Sequence, residues 1–303
     1  MIRIPPAPPD ADVSHGQVHL RYEDVSQDGR LLLEVAPIGL GATVWRRVLG
    51  GHPIGKVLAR AGIVPILTHL AIEASDGPFG ITAPLDAVGS FALAHSRDSN
   101  GQVERIVLNM WCELTAPIGR VYPPPPERAG EHIFAARVFA RHVMTRLFAP
   151  PGERRVTELR IPNEPLVPPM LDVQTLPESL LEPPDGATAL DEQLVLDTAP
   201  LVFGLMHTDS NQHVNSLVYL RAFEEAMLRR VAAHGRPTAV LSRALEIAYR
   251  KPFFAGQTAR LAVRAFEHRG ATGACGGFFL DGVDPLAARP HATIRVCERV
   301  CER

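Results

Sequence analysis

Alternating apolar and polar residues in the last third of the chain predict one helix followed by four strands. A helical spacing of apolar residues covers residues 215–233 and ends at the turn sequence Gly235-Arg-Pro237. Strand-like segments bounded by turn residues then follow at 240–250, 258–267, 273–280 and 292–298. An apolar run at 194–206 precedes the helix and predicts another strand. The predicted order is a strand, a helix and an antiparallel meander.

The first third of the chain has a similar order of elements. A strand is predicted at 31–37, a helix at 54–61, and strands at 67–74, 89–96 and 104–114. Gly39-Leu40 in this part corresponds to Gly204-Leu205 in the last third. Because one helix against one curved sheet cannot bury all of its apolar faces, the repeat predicts two paired units of the same kind.

Proline interrupts the middle of the chain, at 123–126, 150–151, 162–169 and 183–184. Proline lacks an N–H donor and restricts the residue before it, so long regular elements are disfavoured there. Only residues 131–148 show a helical pattern in this part. We therefore predict an N-terminal unit at 1–122, a proline-rich linker with one helix at 123–189, and a C-terminal unit at 190–303.

Composition excludes several classes of protein. The 303 residues include 31 Lys+Arg and 33 Asp+Glu, which gives a net charge of -2, and 46% of the residues are hydrophobic. These values argue against a largely disordered chain and against a general nucleic-acid binder. The N-terminal sequence lacks the apolar core of a secretory signal, so export is not expected. The least polar stretch, 61–72, is too short to span a membrane.

Four cysteines are too few and too scattered for a disulfide framework in a chain of this length. This favours a reducing compartment, and we expect a cytoplasmic location. Cys297 and Cys301 lie close together, but no further Cys or close His pair completes a zinc site. No metal and no other cofactor is predicted.

The densest polar motif is His207-Thr-Asp-Ser-Asn-Gln-His-Val-Asn-Ser-Leu-Val-Tyr219, which runs into the predicted helix. Every second position from 209 to 215 is polar: Asp209, Asn211, His213 and Asn215. The unpaired N–H groups and the dipole of a helix start can stabilise an oxyanion, and a nearby carboxylate can attack a carbonyl or activate water. Capping by Asn215 or Ser216 and turn formation by Asp209 is the structural alternative.

The predicted helix also carries a carboxylate on its apolar side. An apolar stripe follows the i, i+3, i+4 spacing, and Glu224 falls within it: Leu217, Leu220, Met227, Leu228 and Val231. A carboxylate in such a stripe must be paired, protonated or directed into a polar cavity. A structural ion pair and a catalytic role for Glu224 both remain open.

This motif resembles that of the hotdog-fold thioesterases, and its Asp-x-Asn-x-His-Val-Asn form is most similar to the acyl-ACP thioesterases. Downstream, Ile247-Ala-Tyr-Arg-Lys-Pro-Phe-Phe-Ala-Gly256 resembles the Tyr-x-x-Pro and Gly pattern of the same family. The resemblance covers about residues 190–298 by motif and the first half only by its order of elements. It implies an α+β fold, a double hotdog with two curved antiparallel sheets, each wrapped around a central helix.

By position, the resemblance implies a role for each motif residue. Asp209 would be the nucleophile or general base, and Asn211 and His213 would orient the thioester. In our hypothesis for the reaction, Glu224 holds the water. The amides at the helix start would bind the oxyanion. Three further residues at this helix are expected to contact the substrate: Asn215, Ser216 and Tyr219. The first unit, around Gly39-Leu-Gly-Ala-Thr-Val-Trp45, has no Asp, Asn or His at matching places and resembles a degenerate partner unit.

The chain departs from the acyl-ACP thioesterases in three places. Pro252-Phe253 stands where those enzymes have a Glu-Cys pair, Gln257 replaces an Asp, and Ser216 replaces a second Asn. The expected reaction is hydrolysis of an acyl thioester on acyl carrier protein (ACP) or CoA. A hotdog dehydratase, cyclase or acyl transferase and a non-catalytic acyl-binding protein are the alternatives. The acyl thioester is the expected partner, and ACP docking and a homodimer are left open.

Overall fold

Antiparallel strands dominate the structure, a computed structural model that describes residues 2, 4–172, 176–283 and 288–300, with side chains to 297. The chain divides into two units. Residues Ile4–Gln174 form the first unit, and Thr175–Arg303 with Met1–Arg3 form the second. Helices are few, and none in the described part of the chain is long and apolar enough to cross a membrane.

Five strands form the sheet of the first unit, in the order β1-β3-β4-β5-β2, with every neighbouring pair antiparallel. Their bounds are β1 (Asp12–Val18), β2 (Val64–Ala74), β3 (Leu85–Arg97), β4 (Val103–Pro117) and β5 (His132–Thr145). The strands predicted at 67–74, 89–96 and 104–114 are confirmed as parts of β2, β3 and β4. The sequence analysis did not predict β1.

The helix predicted at 131–148 is wrong, because this segment is the strand β5. β5 lies between β4 and β2 and is buried on both faces at many positions, so it lacks the apolar–polar alternation of a half-exposed strand. Its apolar residues fit a helical spacing by coincidence, and pairing within the sheet decides its conformation. Residues 132–145 are therefore part of the first unit and not of a linker.

The strand predicted at 31–37 is also wrong. Buried side chains at Leu31, Leu33 and Val35 imitate strand alternation, but a 3-10 turn forms at Leu33–Val35. Three helical segments follow directly, namely α1 (Ile38–Leu40), a π-helical turn (Gly41–Trp45) and α2 (Arg46–Leu49). After a short break comes α3 (Pro53–Arg60), which confirms the helix predicted at 54–61.

The helical segment 38–49 packs closely against the sheet of the first unit. Thr43 donates a hydrogen bond from its hydroxyl to the Gly39 carbonyl at 2.6 Å and lies against Gly89 of β3, where a β-carbon would clash with it. Trp45 meets His142 of β5 edge to face, with ring centroids 5.2 Å apart. Burial lowers the pKa of His142 to about 4, so this histidine is neutral inside the unit at neutral pH.

The second unit contains one long helix, α4 (Ser216–Ala233), and a four-stranded antiparallel sheet in the order β9-β12-β11-β10. The bounds are β9 (Val240–Tyr249), β10 (Thr258–His268), β11 (Ala271–Leu280) and β12 (Ala292–Val300). The helix and all four strands confirm the sequence prediction. Thr208, Val214 and the residues between them form the connection that precedes α4.

Three two-residue strands pair with β10 on its other side: β6 (Thr188–Ala189), β7 (Val195–Leu196) and β8 (Leu201–Val202). β7 and β8 replace the continuous strand predicted at 194–206. The interruption contains Pro200, which has no N–H to donate to a neighbouring strand. The chain therefore follows the edge of β10 in separate short contacts.

α4 packs on β10 and β11 through a stripe that differs from the predicted one. Leu220, Met227 and Val231 are buried as expected, whereas Tyr219, Phe223 and Ala226 complete the stripe. Gly276 of β11 permits this approach, because a β-carbon there would lie 3.0 Å from the Phe223 ring and would clash with the carbonyl of Ala262. Glu224 lies beside the stripe and is only partly buried.

The other end of α4 is fixed by a buried carboxylate. Asp191 accepts hydrogen bonds from Arg230, from His234 Nε2 at 2.7 Å and from the Ala265 amide at 2.8 Å. Burial raises the pKa of Asp191, but the hydrogen bonds from Arg230, Ala265 and His234 outweigh it and lower this pKa to about 2. Asp191 therefore stays ionised and links the segment before β7 to both α4 and β10.

Candidate functional site

The polar motif forms a tight hairpin immediately before α4. Thr208 pairs with Val214, and the Asp209 amide donates to the His213 carbonyl at 3.2 Å. The Gln212 amide donates to the Asp209 carbonyl at 2.9 Å, and Gln212 has a left-handed backbone with φ of 64°. A turn closed by one left-handed residue is a common three-residue hairpin loop. The loop directs the motif side chains to the start of the helix.

Asp209 is held in this loop by two hydrogen bonds to its carboxylate. Oδ1 accepts from the Asn211 amide at 2.8 Å, and Oδ2 accepts from Asn215 Nδ2 at 3.3 Å. Asn215 is also the N-cap of α4, because its Oδ1 accepts from the Leu217 amide at 2.9 Å. One side chain thus connects Asp209 to the helix start. Both the capping role and the clustering of polar groups expected from the sequence are present.

The amide of Ser216 is the available donor at this end of α4. The Asn215 amide donates to the His207 carbonyl at 2.9 Å. The Leu217 amide donates to the side-chain oxygen of Asn215, and the Val218 amide donates to its main-chain carbonyl. Within the described residues, the Ser216 N–H makes no hydrogen bond. The positive end of the helix dipole adds to the attraction that this N–H exerts on an anion.

Asn211 and His213 flank Asp209 in the hairpin. Asn211 is exposed and its side-chain amide has no hydrogen bond to the described part of the chain. His213 is partly buried, and its Nδ1 lies 3.2 Å from the Val214 carbonyl. Because a carbonyl can only accept, Nδ1 carries the proton, and Nε2 is the ring nitrogen available to a ligand.

Two tyrosines, one buried and one partly buried, make hydrogen bonds at the start of α4 and at Phe253. Tyr249 donates from its hydroxyl to the Ser216 carbonyl at 3.0 Å, and the Tyr219 hydroxyl accepts from the Phe253 amide at 3.1 Å. Burial raises the pKa of both tyrosines, which therefore remain protonated at neutral pH. The side chain of Tyr219 is 2% exposed and lies in the aromatic core. Contact of Tyr219 with a substrate stays a prediction.

Phe253 anchors the loop with its main chain. Its carbonyl accepts from the Val214 amide at 2.8 Å, and its buried ring stacks on His291 with centroids 4.3 Å apart. This is the position where the acyl-ACP thioesterase pattern has another residue type. Gln257, the second departure, accepts from the Phe254 amide through Oε1 at 2.9 Å and closes the turn before β10. This anchor was not predicted, because main-chain bonds leave no signal in residue type.

Glu224 lies farther along α4. It is eight positions after Ser216, which at the helical rise per residue amounts to about 12 Å along the helix axis. The structure therefore brings together Asp209, Asn211, His213, Asn215 and the Ser216 amide, and places Glu224 two turns away.

Two exposed apolar side chains lie immediately before the loop in sequence. Leu205 and Met206, immediately before the motif, are 82% and 89% exposed. Within the residues that the structure describes, no group of three or more His, Cys, Asp and Glu side chains is placed to hold a metal ion. The arrangement offers a carboxylate, an imidazole nitrogen, two carboxamides and a helix-start amide.

No protein-family model matches the chain, and no curated protein matches it in sequence. Its fold is similar to three solved structures over nearly the full length. A protein from Lactobacillus plantarum, provisionally named an oleoyl thioesterase, has a TM-score of 0.62 and 14% identity, with 97% of this chain and 99% of that chain covered. An acyl-ACP thioesterase from Bacteroides thetaiotaomicron has a TM-score of 0.56 and 14% identity, covering 95% and 98%.

The third structure is the 12:0-ACP thioesterase from Umbellularia californica, with a TM-score of 0.55 and 12% identity, covering 95% of this chain and 94% of that chain. These identities are low, so the likeness concerns the fold. The chain shares the fold of hotdog thioesterases, which confirms the resemblance found in the sequence motif.

Proposed function

We propose that this chain hydrolyses an acyl thioester carried on ACP or CoA, with Asp209 as the central group. The observation that carries the proposal is the position of the Asp209 carboxylate, which Asn211 and Asn215 hold beside the start of α4. The shared fold with structures named as thioesterases supports the same reaction.

The proposal includes a double hotdog architecture. Each unit has an antiparallel sheet with a helical segment packed against it, residues 38–49 in the first unit and α4 in the second. We assign the chemistry to the second unit. In the first unit, the helical segment follows Ala36-Pro37 and has no Asp, Asn or His among residues 38–45 that could match the polar motif of the second unit. The first unit is then the degenerate partner.

In the proposed step, the Ser216 amide donates to the thioester carbonyl oxygen, and His213 Nε2 and Asn211 orient the acyl group. Asp209 either takes a proton from an attacking water or attacks the carbonyl carbon itself to give a mixed anhydride that water then opens. In both routes the C–S bond breaks, the thiol leaves with a proton and a free carboxylic acid forms. The step assigns no task to Glu224, because of its distance along α4.

The experiment is a mass-spectrometric assay of purified protein against panels of acyl-CoA and acyl-ACP of different chain lengths. We expect free acid to form and kcat to fall at least about 100-fold in Asp209→Asn, which keeps the shape but removes the base. The matched control is Asp185→Asn at an exposed position outside the loop, with equal thermal stability required of both variants. Hydrolysis by Asp209→Asn at the wild-type rate would disprove the assignment.

One observation favours a second candidate, a non-catalytic acyl-binding protein. Both oxygens of Asp209 already accept hydrogen bonds within the loop, as in a purely structural turn. This candidate predicts tight binding of an acyl thioester without turnover and no effect of His213→Ala on any product. A dehydratase, cyclase or acyl transferase would instead give products other than the free acid in the same assay.

A further inference from the structure

A cavity of about 350 Å³ lies in the second unit, away from the Asp209 loop. Three strands contribute to its floor. Ala248 of β9 pairs with Thr293 of β12, which pairs with Gly277 of β11, and Phe279 lies two residues from Gly277 on the same face of β11. Phe278 packs against Tyr219 of α4. Since successive strand residues point to opposite faces, Phe279 and the cavity lie on the face opposite α4.

The segment 177–194 covers this floor, with Pro177, Leu181 and Leu194 lining the cavity. Leu181 approaches the sheet where Gly277 has no side chain, since a β-carbon at Gly277 would lie 3.3 Å from Leu181 Cδ2. The walls are therefore mainly apolar. The volume is at the lower end of the roughly 300–1,000 Å³ typical of small-molecule sites.

The rim of the cavity carries an excess of positive charge. Arg250, Arg289 and Glu178 all line it. Arg250 donates from Nε to the Pro290 carbonyl at 2.6 Å and from Nη2 to the Arg289 carbonyl, so its guanidinium is held in place without a carboxylate. Among the described residues, the guanidinium of Arg289 has no hydrogen-bond or ion-pair partner. The three side chains carry one net positive charge.

The direction of the pKa shift of Arg250 agrees with a net positive charge at the rim. Burial and repulsion from Arg289 lower the pKa of Arg250, and attraction from Glu178 only partly opposes the effect. Arginine remains charged at neutral pH even so. An anion at the rim would reduce the repulsion between the two guanidinium groups. Because Nε and Nη2 of Arg250 already donate to main-chain carbonyls, Nη1 is the nitrogen of Arg250 that remains for an anion.

We propose that this cavity binds a small amphipathic monocarboxylate, with its alkyl chain over Ala248 and Phe279 and its carboxylate at Arg250 and Arg289. The apolar walls exclude a highly charged ligand from the interior, and the net charge of the rim selects an acid over an alcohol or an amine. The proposal rests on the cavity and does not depend on the hydrolytic reaction proposed above.

Isothermal titration calorimetry with octanoate tests the proposal. Octan-1-ol is the probe that lacks the charge, and acetate is the probe that lacks the alkyl chain. We expect octanoate to bind with a Kd below about 1 mM, and each of the other probes to bind at least about tenfold more weakly. The double variant Arg250→Gln/Arg289→Gln and the cavity-filling variant Ala248→Met should each weaken octanoate binding about tenfold or more. Arg236→Gln, which alters an exposed ion pair with Glu267, is the matched control.

Binding to the Asp209 loop is distinguished by repeating the titration in Asp209→Asn, which should bind octanoate as the wild type does. No binding of octanoate up to about 5 mM overturns the proposal. Binding that Ala248→Met and the double arginine variant leave unchanged overturns it as well, because the ligand would then lie elsewhere. If acyl thioesters are not hydrolysed but octanoate binds in this pattern, the proposed function fails and the cavity assignment stands.

Discussion

Asn215 shows how one side chain joins a structural and a chemical requirement. Its side-chain oxygen Oδ1 caps α4, and its side-chain nitrogen Nδ2 donates to Asp209. The cap is a feature of most helices, whereas the bond to Asp209 determines where a carboxylate lies relative to the open Ser216 amide. The two tasks use different atoms of the same group, so substitutions separate them.

We expect Asn215→Ser to keep the stability of the wild type and to lose activity. Serine is as good an N-cap as asparagine, so the free energy of unfolding should change by less than about 0.5 kcal/mol. Hydrolysis of the best thioester should fall about tenfold in kcat/KM, because Asp209 loses its side-chain donor. Asn215→Ala should lose about 1 kcal/mol of stability in addition.

Urea unfolding and steady-state kinetics on the same preparations measure both effects, with Asn100→Ser in a turn of the first unit as control. Wild-type kinetics in Asn215→Ser would show that the bond to Asp209 has no part in the reaction.

At the scale of elements, α4 is fixed at both ends by groups outside the helix. At the start of α4, the Tyr249 hydroxyl donates to the Ser216 carbonyl. At the end of α4, Asp191 accepts hydrogen bonds from Arg230 and His234. The helix is thus positioned along its axis as well as across the sheet. A shift of α4 by even part of a turn would move the Ser216 amide away from Asp209.

Asp191→Asn should destabilise the protein by about 2–4 kcal/mol at neutral pH, because it leaves Arg230 without its buried partner. The pKa of Asp191 is about 2 in the folded chain and about 3.9 when unfolded. Its contribution is therefore complete above about pH 5 and is lost as the pH falls through 4 towards 2.

Urea unfolding of wild type and Asp191→Asn at several pH values measures this difference, which should be constant from pH 7 to 5 and shrink below pH 4. Asp185→Asn, at an exposed position, is the control. A difference that stays unchanged down to pH 3 would contradict the assigned ion pair.

The elements that the sequence predicted correctly are those with a periodic pattern of their own. α4 and β9 to β12 have clear turn residues at their ends, so local pattern and final structure agree, although β11 is buried on both faces. β5 was predicted as a helix because its apolar residues also fit a helical spacing, and its strand conformation depends on pairing with β2 and β4. The polar loop was located by its residue types, whereas Phe253 acts through main-chain atoms that a sequence pattern does not show.

At the scale of the whole molecule, the two units respond to acid through different groups. His142 in the first unit has a pKa of about 4 when folded and about 6.5 when unfolded. The unfolded chain therefore binds a proton in this interval that the folded unit does not, and stability falls with decreasing pH. Asp191 affects the second unit only at lower pH.

We expect the first unit to lose about 3 kcal/mol of stability between pH 7 and pH 4, and His142→Phe to remove this dependence. Both tryptophans, Trp45 and Trp111, lie in the first unit, so their fluorescence reports its unfolding alone. Urea titrations at pH 7 and 4 measure the effect, with exposed His132→Phe as control. Equal pH slopes in wild type and His142→Phe would refute it.

The main-chain anchoring of the polar loop bears on how far such a sequence can diverge. The Phe253 carbonyl accepts from the Val214 amide, and the Phe253 amide donates to the Tyr219 hydroxyl. Neither bond depends on which side chain stands at position 253. Residues there can be exchanged over evolutionary time while Asp209 keeps its place. A different residue type at position 253, in a chain that shares only 12–14% of its residues with solved structures of similar fold, therefore leaves both main-chain bonds of this position in place.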